Sequence, residues 1–337
     1  MSTGLMLGGL VAGPVLASYV VEALRSPPVP PDTLVWAPDI PIRYLALDEA
    51  RLRYIVTGEG PALVLLHTLR TQLDLFQKVI PGLAKHHRVY ALDYPGHGWS
   101  DIPQVAYSPE LFVRTVGQFL DRLDIREATL VGESIGGSIA LLLAARRHPR
   151  VRRVVAINPY DYDRGRGLRR SSALANLVFG ASRVPVLGAT VMRLRNPFVE
   201  GRILRGGVHR EGTLPPALAR EMYEVGNRRG HYRAFLSLVR HWPSWEAARS
   251  EYRTIDRPVL LLYGEHDWSR PAEREANRRD IPGGRLRVVA SAGHFLALDA
   301  PDDLVREVNE FAAADDRRPP TQRQMTGSPD PTHRDAD

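Results

Sequence analysis

The chain has 337 residues, 44% of them hydrophobic and 25% charged, with a formal net charge of +7. Those proportions belong to a globular protein with a sizeable core, and the length suits one large catalytic domain carrying an insertion. There is no cysteine, which excludes disulfides, thiolate metal sites and a cysteine nucleophile.

Leu5 to Val21 is uncharged and almost wholly apolar, and its 17 residues approach the minimum for a membrane span. An N-terminal membrane anchor is the expectation; a signal peptide and a helix packed on the protein are the alternatives. Arg25 is the nearby basic residue, and the positive-inside rule then places the catalytic domain in the cytoplasm. Pro27-Pro28-Val29-Pro30-Pro31 reads as a stiff spacer. Residues 1–34 therefore form an apolar segment with a spacer, and the folded domain spans 35–314.

Within that domain, 43–47 and 51–57 read as hairpin strands. Short apolar runs at 62–66 and 88–92 have the composition of buried parallel strands. A helical pattern follows at 109–123, a strand at 128–131, an Ala/Leu-rich helix at 138–147 and a strand at 151–157. The last four elements are a strand at 259–263, a helix at 272–279, a strand at 286–289 and a helix at 302–313. Strands alternating with helices predict an α/β fold with a mostly parallel sheet and helices on both faces.

Between Asn158 and Arg257 the alternation breaks. The stretch holds short helical patterns, and it reads as a mainly helical cap, about 159–256, inserted over the sheet. Tyr160 to Ser250 carries 16 Arg against seven Asp and Glu. Such an excess either draws an anionic substrate group or lipid surface or is a solvated face. Arg193 and Arg195 are the pair chosen to represent it. The polar tail at 315–337 has the composition of a disordered segment.

The chemistry centres on Gly132-Glu133-Ser134-Ile135-Gly136, between a strand and a helix. This is a Gly-x-Ser-x-Gly nucleophile elbow in the context the motif requires. A serine hydroxyl needs a base, and His294 in Ala292-Gly293-His294-Phe295 follows the last core strand. The base needs a carboxylate to hold its tautomer, and Asp267 in Gly264-Glu265-His266-Asp267 is the choice. Glu265 and Asp161 are its competitors. No histidine spacing suits a metal, no cofactor is implied, and no nucleic-acid-binding signature is present.

These motifs, with Asp93-Tyr94-Pro95-Gly96-His97-Gly98-Trp99-Ser100-Asp101, resemble the α/β-hydrolase superfamily over about 35–314. The resemblance is to its capped group of esterases, lactonases, C–C hydrolases, epoxide hydrolases and non-haem haloperoxidases. It implies an α/β-hydrolase fold and a small-molecule substrate. The group's epoxide hydrolases and haloalkane dehalogenases carry aspartate where this chain has Ser134, so acyl transfer is expected instead. By position, the backbone N–H groups of Leu69 and Ile135 would form the oxyanion hole. The family's usual His-Gly is His67-Thr68 here, so Thr68 and Arg70 are further oxyanion or pocket candidates.

The function expected is hydrolysis of a carboxylic ester, lactone or related acyl bond, on a hydrophobic substrate that carries an anionic group. The alternatives are a perhydrolase or haloperoxidase-like reaction, C–C bond hydrolysis, and a non-enzymatic binding protein on the same fold.

Overall fold

A computed structural model describes residues 3–316 of the chain, with side chains for 13–314. The strands are β1 (Arg43–Ala46), β2 (Arg51–Thr57), β3 (Ala62–Leu66), β4 (Arg88–Leu92), β5 (Ala128–Glu133), β6 (Val151–Ile157), β7 (Val259–Gly264) and β8 (Arg285–Val289). They form one sheet in the order β1-β2-β4-β3-β5-β6-β7-β8. β1, β2 and β4 pair antiparallel, and every pairing from β4 through β8 is parallel. The fold is the expected α/β-hydrolase fold.

Helices precede and cover the sheet. They are α1 (Thr3–Ala23), α2 (Ile80–Leu83), α3 (Pro109–Arg122), α4 (Ile135–Ala145), α5 (Ala173–Ser182), α6 (Pro185–Arg193), α7 (Pro197–Arg205), α8 (Pro216–Gly226), α9 (His231–Arg240), α10 (Trp242–Ala248), α11 (Pro271–Asp280), α12 (Leu296–Asp299) and α13 (Pro301–Asp316). Side chains alternate across each strand, so the inner strands are apolar on both faces. Val64 and Leu66 enter one core with α3 and α4. Leu63 and Leu65 enter the opposite core with Leu83 of α2 and Leu304 of α13. This double burial explains why β3, β4 and β7 read as unbroken apolar runs.

Helices α5–α10 lie between the neighbouring strands β6 and β7. The tail expected at 315–337 lies outside the described residues beyond 316. The expected anchor at 5–21 falls within α1. Among the described residues, no helix is long and apolar enough to cross a membrane, so a spanning anchor gains no support. The described part of α1 instead packs on α6.

A buried charge network braces the loops beside the site. Arg53 is fully buried on β2 and donates to Asp74 at 2.8 Å and to Asp93 at 3.4 Å. Asp93 also accepts from the backbone N–H of Leu73 and Trp99. A side chain at Gly98 would strike the Asp93 carboxylate at 2.0 Å. The Asp93–Asp101 segment is thus built as a structural loop. Burial pushes Asp93 up to about 6, against the opposing pull of Arg53. Deleting one partner of such a cluster leaves buried charge uncompensated, at about 3–5 kcal/mol. Arg53→Ala is predicted to lose stability of that order in urea unfolding. The loss should be larger at pH 8 than at pH 5, because the orphaned carboxyls can escape their charge only by binding protons.

Candidate active site

Ser134 sits between the last residue of β5 and the first of α4. Its backbone adopts φ 59° and ψ −118°, a strained conformation costing on the order of 1–3 kcal/mol. The turn closes only because two side chains are missing. A Cβ on Gly132 would meet the Gly136 carbonyl oxygen at 2.1 Å, and one on Gly136 would meet the Leu66 carbonyl oxygen at 2.0 Å. The turn lifts Ser134 out of the sheet edge. Its hydroxyl is buried and has no hydrogen-bond partner among the described residues.

The loops after β7 and β8 bring Asp267 and His294 together. His294 Nδ1 lies 2.5 Å from Asp267 Oδ1. His294 Nε2 is buried and, like the serine hydroxyl, makes no hydrogen bond among the described residues. The Trp268 indole stacks on the imidazole, with centroids 3.7 Å apart and planes 11° from parallel. Asp267 Oδ2 accepts from the backbone N–H of Ser269 at 2.9 Å and from its hydroxyl. Burial alone would raise the Asp267 carboxyl, but His294 and Ser269 outweigh it and hold it below the ordinary range. It is therefore an anion at neutral pH.

The competing acids lie elsewhere. Asp161 is buried against Tyr252 and Asn277. Glu265 is exposed and accepts from the Ser291 backbone N–H. Neither is hydrogen-bonded to His294.

The two expected oxyanion donors are available. Leu69 lies in the loop after β3 and Ile135 opens α4. Neither backbone N–H donates to another group among the described residues. Ile135 is also at the positive end of the helix dipole. Thr68 is buried, and its carbonyl is engaged by the Thr71 hydroxyl at 2.9 Å and lies 2.7 Å from His67 Nδ1. That bonding pins the loop without a glycine.

Arg70 is not free. It donates to Glu200 on α7 at 2.7 Å, and its guanidinium lies 4.8 Å from the centre of the Phe235 ring. Arg193 and Arg195 likewise depart from expectation. Both are buried. Arg193 lies over the Tyr19 ring at 3.6 Å, and Arg195 pairs with Glu22 at 2.7 Å. They clamp α1 rather than display charge at an entrance.

A cavity of about 250 Å³ lies between these loops and the inserted helices. Thr68, Leu69, Arg70, Trp268 and Phe295 form its core side. Val178, Phe179, Met192, Leu194 and Ile203 are among the residues of its inserted side. The walls are mostly apolar, and both arginines on them, Arg70 and Arg195, are paired with glutamates.

Residues 61–301 match the family described as alpha/beta hydrolase fold. The chain belongs to that family. This hydrolase is 26% identical over 269 residues to a 2-hydroxy-6-oxo-2,4-heptadienoate hydrolase of Pseudomonas putida, covering 78% of this chain and 89% of that protein. It is 29% identical over 277 residues to haloalkane dehalogenase 2 of Mycobacterium tuberculosis, covering 80% and 93%. Among solved structures, Cfl2 of Burkholderia cenocepacia superposes with a TM-score of 0.73 at 22% identity, covering 85% and 99%.

Several residues of the hydrolase's site escaped the sequence reading. Asn158, at the end of β6, donates to the His294 carbonyl at 2.9 Å and accepts from Gly264 N–H at 3.0 Å, tying the acid and histidine loops together. Asp299 accepts from Gly293 N–H at 2.8 Å and from His209 N–H at 2.6 Å, joining the histidine loop to the insertion. Trp268 directly follows Asp267, and that adjacency was the available signal. Glu133 is the variable residue before Ser134. Its Oε1 accepts from Leu296 N–H at 2.5 Å, while Oε2 is buried with no partner among the described residues.

Burial pushes Glu133 up to about 8, helped by the nearby charges of Asp299 and Asp267. Its folded pKa thus exceeds the ordinary value of 4.5. Between those limits the folded state keeps a proton that the unfolded state has lost, so stability falls as pH rises. Glu133→Gln keeps the acceptor and removes the titration. The variant is predicted to unfold in urea with a smaller loss of stability from pH 5 to pH 8 than the parent.

Proposed function

We propose that this protein is a serine hydrolase that cleaves a carboxylic ester or related acyl bond. The observation that carries the reading is the pair of unpartnered atoms, Ser134 Oγ and His294 Nε2, with Asp267 held on the other side of the imidazole at 2.5 Å. Ser134 attacks the carbonyl carbon while His294 takes its proton. Asp267 holds the tautomer and stabilises the imidazolium. The N–H groups of Leu69 and Ile135 receive the oxyanion. His294 returns the proton to the leaving alcohol, and water then releases the acid by the same route.

The inserted helices act as the cap and shape the substrate. A cavity of about 250 Å³ with mostly apolar walls suits a neutral, medium-sized acyl group. The paired state of Arg70 and Arg195 argues against a carboxylate seated in that cavity, which revises the anionic substrate expected from composition. Ser134 also argues for acyl chemistry over dehalogenation.

C–C bond hydrolysis on the same residues is the second reading, favoured by the similarity to the Pseudomonas putida hydrolase. That substrate is a dienoate by its name, and so anionic. A panel of p-nitrophenyl esters of rising chain length, run beside a vinylogous diketone acid, separates the two.

Ser134→Ala and His294→Ala are predicted to lower kcat by about 10³-fold or more with the fold intact by circular dichroism. Asp267→Asn should be severe while Glu265→Gln is mild. Substantial turnover by Ser134→Ala would remove the nucleophile assignment. Medium-chain esters should show the highest kcat/KM, and a preference for acetate would contradict the apolar acyl site.

A further inference from the structure

The C-terminal half of α1 is inverted relative to a helix packed on a soluble protein. Its polar residues face inward. Ser18 is buried and lies 3.4 Å from Arg193. Glu22 pairs with Arg195 at 2.7 Å. Arg25, just beyond the helix, donates to Tyr223, to Asn227 and to the carbonyls of Arg193 and Arg195. The spacing of 18, 22 and 25 is one helical stripe, and it is held by charge and hydrogen bonds.

The apolar residues face outward. Leu16, Tyr19, Val20 and Leu24 are all exposed, from 54% to 78%. A solvated helix places its apolar stripe against the core and its polar side in water. Here the arrangement is the reverse. The exposed apolar surface continues onto the helix that α1 packs against, where Val184, Val186 and Leu187 stand in the open. Contiguous apolar surface of this kind marks a place where something else docks.

We infer that this face is a seat for an anionic lipid surface, on which α1 lies without crossing. The charge of the surroundings selects that occupant. Arg233 is exposed beside Tyr232, the ring that Arg193 of the clamp also reaches, and it makes no ion pair among the described residues. Tyr19 lies at the edge of the apolar strip, where its amphipathic ring suits the headgroup level. An apolar helix face with an unpaired arginine at its border is the composition of an interfacial helix. Leu194 is 41% exposed and also walls the cavity, so the seat adjoins the cavity. The seat itself does not depend on the chemistry at Ser134.

The test uses the full chain in flotation with phosphatidylcholine vesicles, with and without phosphatidylglycerol. The protein should float with the anionic vesicles, less with the neutral ones, and less as salt rises. Leu16→Glu combined with Val20→Glu and Leu187→Glu should weaken binding by about tenfold or more. Melting temperature and turnover of a soluble ester should stay unchanged. The absence of cysteine allows a second measurement that needs no charged variant. An environment-sensitive dye on Val20→Cys should shift to the blue with anionic vesicles, while the same dye on Glu127→Cys, exposed at the start of β5, should not. Failure of the protein to float, or equal binding by the triple variant, overturns the inference. A lipid-free dimer that the triple variant dissolves also overturns it, since the face would then belong to a second copy. Ester turnover lost in Ser134→Ala with vesicle binding retained would keep this inference apart from the proposed chemistry.

Discussion

The site depends on one steric condition, the approach of the elbow backbone to the end of β3. The carbonyl of Leu66 and the backbone of Gly136 occupy space that any side chain at Gly136 would need. The contact brings the first turn of α4 against the strand whose following loop carries Leu69. The loop that carries Leu69 and the start of α4 at Ile135 therefore meet at the same end of the sheet. The strain at Ser134 is tolerated because β5 lies between β3 and β6 and is buried along its whole length, so the surrounding sheet holds the turn in place.

The rest of the constellation is supported by polar groups that bridge loops. Asn158 holds the loops of Asp267 and His294 in one arrangement. Asp299 ties the histidine loop to the insertion. Trp268 covers one face of the imidazole. The bonds of Asn158 and the bond of Asp299 to the insertion span 90 residues and more. Each of those bonds is a single side chain meeting a backbone group, with no periodicity to announce it.

This explains what could be read from the sequence. The core strands were legible because both faces of β3, β4 and β7 are buried, and a short apolar run has few other uses in a chain with turn signals at its ends. The elbow turn at Ser134 and the meeting of Asp267 with His294 were legible because each residue sits just past a strand end in a local pattern. Asn158 and Glu133 were not, because their partners are backbone atoms of loops far along the chain. Arg70 and the cap pair Arg193 and Arg195 were misread for a related reason. Composition counts a charge but not its neighbour, and Arg70, Arg193 and Arg195 are taken up by Glu200, Tyr19 and Glu22. The expectation of a membrane-spanning N-terminal segment rested on its hydropathy alone. Hydropathy does not record that Ser18 and Glu22 form a stripe able to grip a protein while Leu16, Val20 and Leu24 face away.

That grip has a thermodynamic consequence. Arg193 and Arg195 lie at the end of α6, and Val191, Met192 and Leu194 of the same stretch wall the cavity. One short segment therefore bears both on α1 and on whatever fills the cavity. If α6 has two arrangements, a surface that favours one of them through α1 changes the affinity of the cavity for its ligand. Reciprocity then requires the filled cavity to change the affinity for that surface by the same factor. That coupling would run through Arg193 and Arg195, the second of which also walls the cavity.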